Sequence, residues 1–155
     1  MKLVQKHVHV SAPAAVLYEL LTDPALFVQW MAEDANIDAR VGGEIRWTHA
    51  NGDSCSGHFV ELVPDRRIVF TYGWERPDVE VPPGSTTVEI DLIPSTRGTE
   101  LRLVHRGLAG PMADAHAGGW DHYLRRLADR AAGLEPGPDP WAQQRVPTAR
   151  NLGLR

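Results

Sequence analysis

The sequence predicts an α+β fold of helix-grip shape, in which a curved antiparallel β-sheet wraps a long C-terminal helix, with two short helices after the first strand. Three observations lead there. Short runs of alternating apolar and polar residues recur between turn signals from about residue 35 to residue 106. A broad apolar stripe at three- and four-residue spacing follows them, from about Met112 to Ala132. The other helical patterns, between Ser11 and Trp30, are both short. Runs of strands with segregated helices build α+β layers rather than a doubly wound sheet. Only the last helix is long enough, at about 1.5 Å per residue, to lie along such a sheet.

The elements follow in order. Val4, Val8 and Val10 share one side of a first strand, with Lys6 between them. Ser11 is positioned to cap a helix with Pro13 in its first turn and Leu17, Leu20 and Leu21 as its apolar stripe. Asp23-Pro24 restarts a second short helix through Trp30, with Asp23 as cap. Turn signals then recur at Gly42-Gly43, Asn51-Gly52, Pro64-Asp65, Pro82-Pro83-Gly84 and Arg97-Gly98. About six strands are expected here. Ile45 and Trp47 alternate in one, Val60 and Leu62 in another, and Ile68, Phe70, Tyr72 and Trp74 in a third. Val88, Ile90 and Leu92, then Leu101 and Leu103, do the same. Asn51-Gly52 suits a type I′ hairpin turn, which needs positive φ at both residues. Gly118-Gly119 falls inside the last helix, where each glycine costs about 1 kcal/mol relative to alanine. A close approach of the backbone to sheet or ligand explains that pair, and so does a kink. Gly133 fits the helix C-cap.

The chain has 155 residues, 43% of them hydrophobic, which suits one packed domain over residues 1–133 and a Pro-rich C-terminal tail over residues 134–155. Pro136, Pro138, Pro140 and Pro147 exclude regular structure from much of that tail. It reads either as a solvated extension or as a segment whose Trp141 docks on the body or on a second subunit, so a homodimer stays open. The net charge of −4, with interspersed signs, offers no basic stripe for nucleic acid and no anchor for a membrane. Cys55 is the only cysteine, so neither a disulfide within the chain nor a thiolate zinc cluster is available. The N-terminus lacks the apolar core of a signal peptide, and the expected location is cytoplasmic.

Several short stretches resemble the activator-of-heat-shock-protein-90-ATPase homologue family, within the START-like, or SRPBCC, superfamily of helix-grip proteins. They are Ala12-Pro13 leading to Val16 and Leu20-Leu21-Thr22-Asp23-Pro24, with Trp30 beyond. Arg40-Val41-Gly42-Gly43-Glu44-Ile45 and Gly57-His58-Phe59-Val60-Glu61-Leu62 follow. Pro64 to Thr71, Gly98-Thr99-Glu100-Leu101, and Gly119-Trp120 with Tyr123-Leu124 complete the series. Together they cover residues 1–133. The resemblance implies a hydrophobic cavity, in a superfamily that includes lipid carriers, hormone receptors and polyketide cyclases or aromatases. Its co-chaperone members are usually longer, with an additional N-terminal domain, so activation of a heat-shock ATPase is not the expectation here.

The wedge between sheet and helix is the expected site for a small hydrophobic ligand. By common parity and helical face its walls are Trp47, Phe70, Tyr72, Trp74, Leu103, Met112, His116 and Trp120, joined by His58 and His105. An imidazole titrates near neutral pH, which makes His105 first and His58 second among candidates for general acid or base. Either equally serves as a hydrogen-bonding group that orients a ligand. His49 shares the inner parity, while His7, His9 and His122 complete the histidines. No HExxH-like spacing occurs, so neither a metal nor another cofactor is expected. Cys55 has no adjacent base but His58 and reads as a small edge residue rather than a nucleophile. Three functions remain: a binding module for a small hydrophobic or aromatic molecule, a cyclase- or aromatase-type enzyme using pocket histidines, or an interaction protein with a filled core.

Overall fold

The computed structural model describes residues 2–143. The elements are β1 (Lys2–Val10), α1 (Ala14–Thr22), α2 (Pro24–Phe27), β2 (Asp34–Ile37), β3 (Glu44–Thr48), β4 (Ser54–Val63), β5 (Arg67–Tyr72), β6 (Thr86–Ser95), β7 (Gly98–Leu108) and α3 (Gly110–Ala131). The seven strands form one sheet in the order β1-β7-β6-β5-β4-β3-β2, antiparallel throughout. The meander β2 to β7 needs only hairpin links, and β1 closes onto β7 by passing its chain through α1 and α2. The helix α3 packs along β1 and covers the apolar face of the sheet.

Alternation explains the face. In β7, Leu101, Leu103 and His105 are fully buried, while Arg102 and Arg106 are exposed. Val88, Ile90 and Leu92 of β6 lie on the same side and are also buried. From α3, Met112, His116, Trp120, Leu124 and Leu127 meet them at helical spacing. Trp30 is fully buried beyond α2, and its indole N–H donates to the Leu20 carbonyl at 2.8 Å, tying that loop to α1. At the far end of α3, Gly133 takes φ +86° and reverses the chain.

Four local expectations are corrected. Ser11 does not cap α1. Pro13 occupies the N-cap with no side-chain bond, and Thr99 Oγ1 donates to the Ala12 carbonyl at 2.8 Å, which keeps the chain on β7 until Ala14. The second helix ends at Phe27, capped as expected by Asp23, whose side chain accepts the Ala25 N–H at 2.8 Å. The β3–β4 hairpin forms, but not through a type I′ turn. Gly52 has φ +91° while Asn51 does not enter the positive region; its side chain instead accepts the Asp53 N–H at 2.8 Å. Finally, the β4–β5 register shifts between Phe59 and Glu61. This bulge inverts the parity expected for the first half of β4, so Phe59 points inward while His58 and Val60 point outward and are exposed.

Gly57 sits directly against the backbone of β5 at Thr71. A Cβ there would stand 1.8 Å from the Thr71 carbonyl oxygen, a backbone atom that cannot swing aside. Gly57→Ala is therefore expected to lower stability by about 3 kcal/mol or more, the upper end of overpacking costs, read from the urea midpoint. An unchanged midpoint would mean that the two strands separate here without cost.

Candidate functional site

One end of the sheet–helix interface is not filled. The hairpin β3–β4 brings Trp47 directly opposite Cys55, and Cys55 bridges in turn to Trp74 beyond β5. Tyr72 ends β5 on the same face. From above, α3 presents His116, Gly119, Trp120 and Tyr123. Met31 from the α2–β2 loop, His49 and Asn51 from the β3–β4 turn, Ala115 from α3 and Trp141 from the C-terminal segment complete the wall. They line a half-open cavity of about 160 Å³.

The rear wall is a network of indoles and imidazoles whose protons can be assigned. An indole N–H is a donor only. Trp74 Nε1 lies 3.0 Å from His116 Nε2, so that nitrogen accepts; His116 Nδ1 then carries the proton and donates to the Met112 carbonyl at 2.7 Å. Trp120 Nε1 donates to His105 Nδ1 at 3.0 Å, which leaves the proton on Nε2, 2.9 Å from Thr86 Oγ1. That hydroxyl donates onward to the Tyr72 carbonyl at 2.8 Å. The two histidines thus hold opposite tautomers, each with both nitrogens paired.

Burial keeps these groups neutral. Desolvation, assisted by neighbouring His116, takes His105 down to about 3. Desolvation also lowers His116, against a smaller opposing pull from the Met112 carbonyl. His49 is pushed down by burial as well, with Asp139 and Asp53 pulling it partly back. Its ring lies nearly parallel to Trp74 at 6.0 Å, and among the described residues its Nδ1 has no partner. Burial drives the Cys55 thiol and the Tyr72 hydroxyl well above their ordinary values; the two sit 3.7 Å apart, Sγ to oxygen. Around neutral pH the wall therefore carries no charge from these side chains. Among the described residues no group of three His, Cys, Asp or Glu side chains could hold a metal ion.

The expected site residues separate into three sets. Trp47, Tyr72, Trp74, His116 and Trp120 line the cavity. Phe70, Leu103, Met112 and His105 are buried on the same face but do not line it, because the cavity occupies one end of that face rather than its length. His58 lies on the outer face, its ring 3.3 Å from Thr71 Oγ1, as the β4 bulge requires. Cys55 is not an edge residue; it is buried in the wall. The hairpin pairing of Trp47 with Cys55 carries the signal that places it there. Tyr123 and Gly119 were readable from the helical face, whereas Met31 and Trp141 come from irregular segments that periodicity does not orient.

Comparison with known proteins now has a geometry to join. The model of the family described as Activator of Hsp90 ATPase homolog 1-like protein matches residues 11–132. The human activator of 90 kDa heat shock protein ATPase homolog 1 is 27% identical over 123 residues, 79% of this chain and 34% of that protein. The chain thus spans about a third of that relative's length. The AHSA1-like protein of Rhizobium etli, solved in solution, is 39% identical with a TM-score of 0.69, over 94% of this chain and 91% of that one. A crystal structure from Chromobacterium violaceum is 29% identical with a TM-score of 0.72, over 86% of this chain and 97% of that one. Among the described residues no helix is long and apolar enough to cross a membrane. On its sequence, its fold and the span of the match, the chain belongs to the Activator of Hsp90 ATPase homolog 1-like family.

Proposed function

We propose that the chain binds one small, neutral, ring-sized molecule in the cavity between the sheet and α3. Gly119 carries this reading. It lies in the middle of a helix of 22 residues, where glycine is unfavourable, and a Cβ built on it meets nothing within 4 Å. Neither a positive φ nor a close backbone contact requires glycine there. What it leaves is space, on the wall of the cavity. A protein selected only for a filled core gains by placing alanine at this position.

Size and chemistry support the same reading. A cavity of about 160 Å³ compares with the engineered apolar cavity of about 150 Å³ that accepts benzene. Its walls are aromatic and uncharged, which excludes an ionic ligand on desolvation grounds. Trp47 Nε1 and His49 Nδ1 are buried polar atoms without partners among the described residues, and both belong to wall residues. A ring bearing one oxygen substituent would offer them a partner after a small side-chain adjustment. Proton transfer by His105 or His116 finds less support, since every nitrogen of both rings is already committed. The human relative's name concerns activation of a chaperone ATPase, in a protein more than twice as long.

Fluorobenzene followed by 19F NMR tests the cavity. It is expected to bind the wild-type chain, to bind Gly119→Ala more weakly, and not to bind Gly119→Leu, whose side chain fills the space. Gly119→Ala should at the same time gain roughly 0.5–1 kcal/mol of stability as a helix substitution. Wild-type affinity in Gly119→Leu would sink the proposal.

The neutral histidines predict a pH dependence. Above pH 6.5 neither the folded nor the unfolded chain protonates His105. Below it the unfolded chain takes up a proton, while the folded one does not until about pH 3. Stability should therefore fall by about 1.4 kcal/mol per pH unit from His105 alone, roughly 2 kcal/mol between pH 7 and pH 5. His116 and His49 are shifted in the same direction and steepen the fall. Urea titrations at the two pH values measure it, and coincident midpoints would show that His105 is not held neutral.

A further inference from the structure

We infer that residues 134–142 form a strap belonging to the binding site, with Trp141 as its outer wall and Asp139 as its latch, and that a ligand reaches the cavity when the strap lifts. The identity of the ligand rests on the cavity reading above; the strap rests on its own contacts. After the reversal at Gly133 the chain runs back over α3. Arg126 holds its first part, donating from Nη2 to the Gly137 carbonyl at 3.0 Å and from Nε to the Trp30 carbonyl at 3.0 Å. Asp139 holds its middle. Its Oδ1 accepts from His122 Nε2 at 2.7 Å and from the Trp141 N–H at 2.9 Å, and its Oδ2 accepts the Tyr123 hydroxyl proton at 2.6 Å. The far end is fixed to the β3–β4 turn, where the Asn51 N–H donates to the Ala142 carbonyl at 3.1 Å.

This course carries Trp141 across the mouth of the cavity. Its ring stacks flat on His122, with centroids 4.4 Å apart and planes 5° from parallel. Its edge comes within 3.9 Å of where a Cβ on Gly118 would stand, and it lines the same cavity as Gly119. The glycine pair thus serves both sides of one opening, Gly118 under the strap and Gly119 inside.

The attachments suit reversible opening. They are hydrogen bonds and one stacked ring, with little apolar burial: Leu134 is 60% exposed and Trp141 38% exposed. Beside the strap lies a second, half-open cleft of about 230 Å³, walled by Pro138, Asp139 and Ala142 on one side and by Met31, His49 and Arg126 on the other. Met31 and His49 also wall the ligand cavity. A segment with few apolar contacts opens at less free energy than the whole fold. Pro136, Pro138 and Pro140 restrict the lifted strap and reduce the entropy lost when it closes again.

The test uses the full chain and 19F exchange spectroscopy with fluorobenzene. Trp141→Ala and Asp139→Asn are each expected to raise the dissociation rate by about tenfold or more, since loss of a wall or latch acts mainly on the off-rate. 1-Fluoronaphthalene should bind Trp141→Ala and not the wild-type chain. Fluorobenzene bound by all three proteins at one rate overturns the strap and leaves the cavity reading standing; binding by none overturns both. Binding by Trp141→Ala alone supports the strap as a closed wall. Hydrogen exchange on the unliganded wild-type chain decides independently of any variant's folding. The Asn51 amide should exchange about 100-fold faster than that of Leu124 in the core of α3, by local opening. Equal rates, with both amides released only by global unfolding, overturn the inference.

Discussion

The architecture depends on a reciprocal pair of indole–imidazole hydrogen bonds across the interface between sheet and helix. Trp74, on the sheet side, donates to His116 on α3, and Trp120 on α3 donates to His105 on β7. The two helical partners stand four residues apart, one turn, so the bonds fix both the rotation and the axial position of α3. Hydrophobic packing alone is non-directional and would tolerate a slide by a turn. Here such a slide would strand two indole N–H groups and two imidazoles in a low-dielectric interior, at about 1–3 kcal/mol for each unpaired group. With α3 fixed in this position, the space beside Gly119 has a definite shape.

Much of this is legible in the amino-acid sequence. The strands β6 and β7 alternate clearly, and β5 does so apart from a buried Val69, so Phe70, Val88, Ile90, Leu92, Leu101, Leu103 and His105 all fall on the expected face, and the stripe on α3 meets them. The aromatic half of the cavity wall follows from the same parity. What failed has specific causes. One inserted residue in β4 inverts everything before it, which sent His58 to the outer face; nothing in Gly57-His58-Phe59-Val60 advertises a bulge. The difference between lining a cavity and lying beneath it depends on how far each side chain sits along the sheet, and alternation carries no information about that. Phe70 and Tyr72 have the same parity, yet only Tyr72 reaches the space. Segments without periodicity, which supply Met31 and Trp141, are oriented by tertiary contacts alone. The proline at position 147 lies outside the described residues.

Charge is sorted to the opposite face of the sheet. Arg67 contacts Glu61, Glu89 and Asp91, and Arg106 pairs with Glu89 as well. The pull of those carboxylates raises the Arg67 guanidinium further above its ordinary value and, through Arg106 first, lowers Glu89. Such pairs, largely open to solvent, add little to stability. Their value is positional: they occupy the outward-facing sites of β4 to β7 with side chains that belong in water. The concave side, by contrast, presents neutral rings to the cavity. On the proposed reading, a molecule held there would be sorted by volume and by where its polar atom lies, not by its charge.

The tryptophans have a further consequence. Of the five in the chain, Trp47, Trp74, Trp120 and Trp141 all touch the cavity, and only Trp30 is sealed elsewhere in the core. Most of the protein's near-ultraviolet absorbance and emission therefore originates at the wall of this cavity. Trp141, 38% exposed, and Trp120, enclosed and bonded to an imidazole, face the same space. An occupant that absorbs near 340 nm would accept excitation energy from several indoles at once, so the folded chain is an optical sensor of its own site without any added label.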